Sequence, residues 1–106
     1  MRFRMISAKE VKEYLGRADV LIFDLREQEE FEKGHIEGAV REDWESIEER
    51  IQTYLQVQEG EIQWIILYCE RGNTSLLAAR DLARLGYPVM SLKGGYLAWE
   101  RAQNNF

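Results

Sequence analysis

Residues 69–75 read Cys-Glu-Arg-Gly-Asn-Thr-Ser and include the only cysteine of the chain. They follow an apolar run, Trp64 to Tyr68, and lead into a helical periodicity carried by Leu76, Leu77, Ala79, Leu82, Ala83 and Leu85. A thiol placed there faces the unpaired N–H groups of a helix start, and those amides together with the helix dipole favour an anionic sulfur. Gly72 allows a positive φ, so that successive N–H groups can turn inward as an anion-binding nest. Arg71 offers a mobile positive charge to an anionic substrate; its other reading is a solvated arginine. Thr74 and Ser75 suit the capping of the following helix, with hydroxyl donation to the sulfur as the alternative. The chemistry implied is that of a nucleophilic sulfur, and the competing reading is an inert buried cysteine. Phosphate-ester chemistry is disfavoured. A phosphatase loop needs an arginine six residues after its cysteine to clamp the phosphate, and Ser75 stands at that position.

A second polar group, Asp24-Leu25-Arg26, follows the apolar run Val20-Leu21-Ile22-Phe23. Open α/β sheets bind ligands at the carboxyl ends of their strands, so both groups stand where a site is expected. His35 in Gly-His-Ile reads as a hydrogen-bonded loop anchor, with a general base as the alternative. Spacing supplies no Cys–His pair. Tyr96 and Trp99 lie on an amphipathic helix and read as core, as does Trp44.

The elements that must hold these groups alternate between strand and helix. Ser7-Ala8-Lys9-Glu10 has the form of a capping box, followed by Val11 and Leu15 on one helical face and Gly16 as a left-handed stop. Val20 to Phe23 and Ile62 to Tyr68 are apolar runs that suit strands buried on both faces. A short helix is expected over Glu27–Lys33 with an ordered loop from Gly34 to Gly38. A longer helix follows with Asp43 as its cap and Trp44, Ile47, Ile51, Tyr54 and Leu55 at a period near that of a helix. Val89 to Leu92 is a third strand, and Gly94-Gly95 turns the chain into the last helix. The pattern predicts an α/β fold, a mainly parallel central sheet with helices on both faces.

At 106 residues, the chain is expected to form a single domain over 1–106. A net charge of −5 argues against a nucleic-acid binder, which normally shows a basic surplus. No apolar run reaches the length of a membrane span, and no secretory signal is read at the start. One cysteine can form neither an internal disulfide nor a cysteine-clustered zinc site, so no metal is expected. Together these point to a cytoplasmic protein with one thiol.

Three motifs in order resemble the single-domain rhodaneses, the sulfurtransferase family. They are Asp24-Leu25-Arg26 with Glu30-Phe31 and Gly34-His35-Ile36-Glu37-Gly38-Ala39, then Tyr68-Cys69 through Ser75, then Leu92-Lys93-Gly94-Gly95-Tyr96-Leu97-Ala98-Trp99. The resemblance implies that Cys69 takes a sulfane sulfur from a donor such as thiosulfate, becomes a persulfide, and passes the sulfur to cyanide, a thiol or a partner protein's cysteine in a relay. It implies that Glu70, Arg71, Gly72, Asn73, Thr74 and Ser75 form the substrate cradle through their N–H groups, and that Asp24, Arg26 and His35 organise the neighbouring loops. No cofactor is implied. Two departures stand out: Glu70 is the first residue after the cysteine, where a carboxylate facing inward repels a dianion, and Val40-Arg41-Glu42-Asp43 replaces a proline-containing stretch. The alternative is a non-catalytic rhodanese-like module that binds or regulates a partner.

Overall fold

One parallel sheet of five strands runs through the computed structural model, which describes residues 2–104. The strands are β1 (Phe3–Ile6), β2 (Val20–Asp24), β3 (Val40–Arg41), β4 (Trp64–Tyr68) and β5 (Val89–Leu92), in the spatial order β1-β5-β4-β2-β3. The helices are α1 (Ala8–Val11), α2 (Gln28–Lys33), α3 (Ile47–Val57), α4 (Asn73–Arg84) and α5 (Gly95–Asn104). The expected α/β architecture is therefore present. Strands β1 and β3, for which no strand was expected, add its two edges.

Alternation along the central strands divides the interior into two cores. Ile66 and Tyr68 of β4 join Ile22, Met90, Leu92 and Trp99 on one face of the sheet. Ile65 and Leu67 join Phe23, Ile51, Ala79 and Leu82 on the other. Residues α1 and α5 contribute pack on the first face, and those from α3 and α4 pack on the second. The four residues Ile65 to Tyr68 are at most 1% exposed. Each buried isoleucine contributes roughly 2 kcal/mol, which makes β4 a firm base for a loop.

Local chemistry sets the start of α1. Ser7 accepts the Glu10 N–H while the Glu10 carboxylate accepts the Ser7 N–H, the full capping box. The helix is shorter than its periodicity predicts, because after Val11 the chain tightens into a 3-10 turn over Lys12–Tyr14. Asp43 precedes a 3-10 turn, Trp44–Ser46, rather than α3 itself. Its carboxylate accepts from Arg41 Nη1 at 3.0 Å instead of capping. Trp44 in that turn is 37% exposed, and Leu77 of α4 and Leu85, its C-cap, are also exposed. The small residues Ala78, Ala79 and Ala83 let α4 sit close to the sheet, and a 100° step puts those two leucines outside that face.

Because β2 and β4 are parallel neighbours, with Asp24 opposite Tyr68, their carboxyl ends open onto the same edge of the sheet. The two polar groups found in the sequence meet there, and Leu25 N–H donates to the Tyr68 carbonyl at 2.8 Å. No helix among the described residues is long and apolar enough to cross a membrane.

Candidate active site

Cys69 is the first residue beyond β4, and it is 7% exposed. The Gly72 N–H donates to its Sγ at 3.2 Å and the Ser75 N–H at 3.3 Å. Both amides reach the sulfur because Gly72 has φ 98, a left-handed turn that folds the loop back as α4 begins. A side chain there is also crowded, since a Cβ on Gly72 would lie 3.1 Å from the Gly94 nitrogen. Asn73 and Thr74 supply further first-turn amides that lack intrahelical acceptors by position.

Thr74 and Ser75 do not cap α4 as expected. The cap position is Gly72, which has no side chain to offer, and Thr74 is exposed. Ser75 lies fully buried one turn in, with its Oγ 3.6 Å from Cys69 Sγ and 3.3 Å from the Gly72 carbonyl. Behind it, Ser91 of β5 shares a hydrogen bond with Ser75 at 3.0 Å. Sequence reading passed over Ser91 as part of an apolar strand; only the β4–β5 register, Leu67 opposite Ser91, brings it to the base of the loop.

The Gly94-Gly95 turn fastens the loop from the other side. Tyr96 N–H donates to the Cys69 carbonyl at 2.8 Å and Leu97 N–H to the Glu70 carbonyl at 3.2 Å. Gly95 has φ 63, and a Cβ on it would collide with the Cys69 carbonyl oxygen and the Glu70 backbone.

Asp24 and Arg26 form a buried ion pair, Arg26 Nη2 to Asp24 Oδ2 at 2.7 Å with Nε shared between both carboxylate oxygens. Arg26 Nη2 also donates to the Gly34 carbonyl at 2.6 Å, and its guanidinium lies 4.0 Å from the centre of the Tyr96 ring. Tyr68, stacked beside Tyr96, accepts the Ile36 N–H at 3.1 Å through its hydroxyl. Burial holds the Tyr68 phenol well above its ordinary value, and the Asp24 carboxylate adds to the shift. These contacts join β2, the 34–38 loop and α5 around the end of β4.

A cleft of about 360 Å³ opens at this edge, lined by Cys69, Glu70, Arg71, Asn73 and Thr74 on one side and by residues 25–27 and Glu30 on the other. Glu70 is half exposed, with Oε1 4.0 Å from Arg26 Nη1. Arg71 is exposed on the lining. His35 is not part of it. Its ring stacks on Phe31 at 3.8 Å, and Nδ1 lies 2.9 Å from the Phe31 carbonyl. Tyr96, read as core, is only partly buried and borders an adjoining hollow with Glu70.

Residues 7–102 match the sequence pattern of the Rhodanese-like domain. The chain belongs to that family. Thiosulfate sulfurtransferase GlpE of Pseudoalteromonas translucida (strain TAC 125) is 33% identical over 103 residues, 96% of this rhodanese and 93% of the relative. The crystal structure of a thiosulfate sulfurtransferase from Pseudomonas aeruginosa matches 96% of the rhodanese at a TM-score of 0.81 and 23% identity, over 19% of that longer chain. A Rhodopseudomonas palustris protein described as a possible tyrosine phosphatase matches 95% of it at a TM-score of 0.75 and 26% identity, over 82% of that protein. At the level of the family, this rhodanese is a sulfurtransferase.

Proposed function

We propose that this rhodanese carries a sulfane sulfur from thiosulfate or a persulfide to a thiophilic acceptor by way of a persulfide on Cys69. The observation that supports the reading most is the pair of N–H groups from Gly72 and Ser75 trained on a sulfur at the head of a cleft. Amides fixed in place need no reorganisation to stabilise a negative sulfur as it forms and re-forms.

In the first half-reaction the Cys69 thiolate attacks the outer sulfur of the donor. With thiosulfate, the Sγ–S bond forms as the donor S–S bond breaks, and sulfite leaves with the electron pair. In the second, the acceptor attacks the outer sulfur of the Cys69 persulfide, and Sγ departs as the thiolate. Cyanide, a low-molecular-weight thiol or a relay protein's cysteine each meets the need for a thiophilic nucleophile. Neither step calls on a metal or organic cofactor. Asp24, Arg26 and His35 organise the loops around the cleft in this reading, and the loop residues Glu70 to Ser75 bind the substrate. A thiol that must return to its reduced form each cycle suits a reducing compartment such as the cytoplasm.

Phosphatase chemistry fits less well. The sixth residue after Cys69 is Ser75, buried and bonded to Ser91, so no guanidinium clamps a phosphate from that position. Steady-state thiocyanate formation from cyanide tests the proposal, with thiosulfate and a peptide persulfide as alternative donors. Cys69→Ser is expected to abolish turnover with every donor while keeping its circular dichroism; full transfer by the variant overturns the role of Cys69.

A further inference from the structure

We propose that the rim of the cleft selects the sulfur donor by charge, taking a protonated persulfide flanked by cations in preference to dianionic thiosulfate. The inference rests on the Cys69 reading above and narrows its donor. Glu27, Glu30 and Glu70 all line the cleft. Arg26 brings little free positive charge to it, because its guanidinium is committed to buried Asp24 and to the Gly34 carbonyl. What remains, Nη1, lies 4.0 Å from Glu70. Glu30 has Lys33 at 3.5 Å. Glu27 forms no ion pair among the described residues, and neither does Arg71. A single mobile arginine therefore faces Glu27 and a Glu70 that only leans on an already paired guanidinium.

A cleft lined by one sign of charge focuses its field on whatever enters. Thiosulfate must bring two negative charges past these carboxylates to a sulfur that is itself negative. A persulfide brings at most one, and its protonated, electrophilic form R–S–SH brings none at the reacting atom. The Cys69 thiolate attacks its outer sulfur, Sγ–S forms, and the R–S bond to that sulfur breaks with its electron pair leaving on R–S⁻. The proton stays on the transferred sulfur, so one negative charge enters the step and one leaves it. Lysine or arginine beside the donor sulfur meets Glu27 and Glu70, and the chain's net charge of −5 extends the attraction outward.

The test follows the gain of one sulfur on Cys69 of the full chain, by rapid-quench intact mass spectrometry. Its donors are thiosulfate, cysteine persulfide, and two persulfides of a short peptide whose flanks are lysine in one and glutamate in the other. At low salt the lysine-flanked persulfide is expected to load about tenfold or more faster than either the glutamate-flanked one or thiosulfate. Added salt is expected to close the gap. Glu27→Gln and Glu70→Gln are each expected to raise the thiosulfate rate and narrow the lysine-to-glutamate ratio. Cysteine persulfide matching the lysine peptide supports selection of a small zwitterion, and its lagging supports a basic polypeptide carrier. Thiosulfate loading as fast as the lysine-flanked persulfide overturns charge selection, as does a lysine-to-glutamate ratio that neither salt nor the substitutions move. If no donor loads Cys69, the persulfide reading itself fails.

Discussion

Two backbone amides that no side-chain change removes donate to Cys69 Sγ, and the thiol in turn donates to the Ser75 hydroxyl at 3.6 Å. A hydroxyl has one hydrogen, and Ser75 can direct it to the sulfur, to the Gly72 carbonyl or to Ser91. When the sulfur is negative, the favourable arrangement is Ser91 donating to Ser75 and Ser75 donating to Sγ. Ser75→Ala is expected to slow sulfur transfer about tenfold, since a hydrogen bond to a charged group is worth roughly 1.5 kcal/mol or more. It also leaves Ser91 buried without its partner, at a cost of about 1–3 kcal/mol in stability. Ser91→Ala spares the hydroxyl that touches the sulfur. Its activity is expected to stay within about threefold of the wild type while stability falls by about 1 kcal/mol. Steady-state kinetics paired with urea unfolding separates the two; equal loss of activity in both variants contradicts this division of roles.

Among the elements, the turn at Gly94-Gly95 fastens the loop through the Tyr96 and Leu97 N–H groups. Gly95→Ala places a methyl group against the Cys69 carbonyl and the Glu70 backbone at a position whose φ is 63. It is expected to cost about 3 kcal/mol, the upper part of the range for overpacking, and to displace the very loop that carries the thiol. Urea midpoints and alkylation of Cys69 read the two effects; a stable variant with unchanged alkylation contradicts the fastening role. How far such elements show in the sequence depends on how they are held. Strands β2, β4 and β5 are legible because burial on both faces demands continuous apolar runs. Strand β1 is an edge that exposes Arg4, and β3 has only two residues, so neither leaves a pattern. The thiol, the Gly72 turn and the following helix are likewise legible, because each rests on local chemistry. Ser91 and the stacking of Arg26 on Tyr96 are not, since they arise from register and from elements far apart in the chain.

For the molecule as a whole, Tyr68 ties stability to pH. Its hydroxyl holds the Ile36 N–H, and burial, then Asp24, keeps it neutral beyond the ordinary tyrosine value of 10.0. A group whose folded-state value is raised contributes stability that is fully present below the unfolded value and is lost as pH climbs past it. Urea midpoints are therefore expected to hold steady up to about 10.0 and to fall above it. Tyr68→Phe is expected to flatten part of that fall while losing about 1–3 kcal/mol at neutral pH, because the Ile36 amide is left without its acceptor. An identical alkaline slope in the variant contradicts the assignment. The same framework, a sheet edge where β2, β4 and the 94–95 turn converge on one sulfur, underlies the proposed persulfide cycle. The most direct measurement of that cycle is the intact mass of the non-reduced protein after a sulfur donor and then after cyanide, with Cys69→Ser in parallel. The expected result is a gain of one sulfur atom that cyanide removes and that the variant never shows. A wild-type chain that gains no sulfur from thiosulfate or any persulfide, or a variant that gains it equally, contradicts the account.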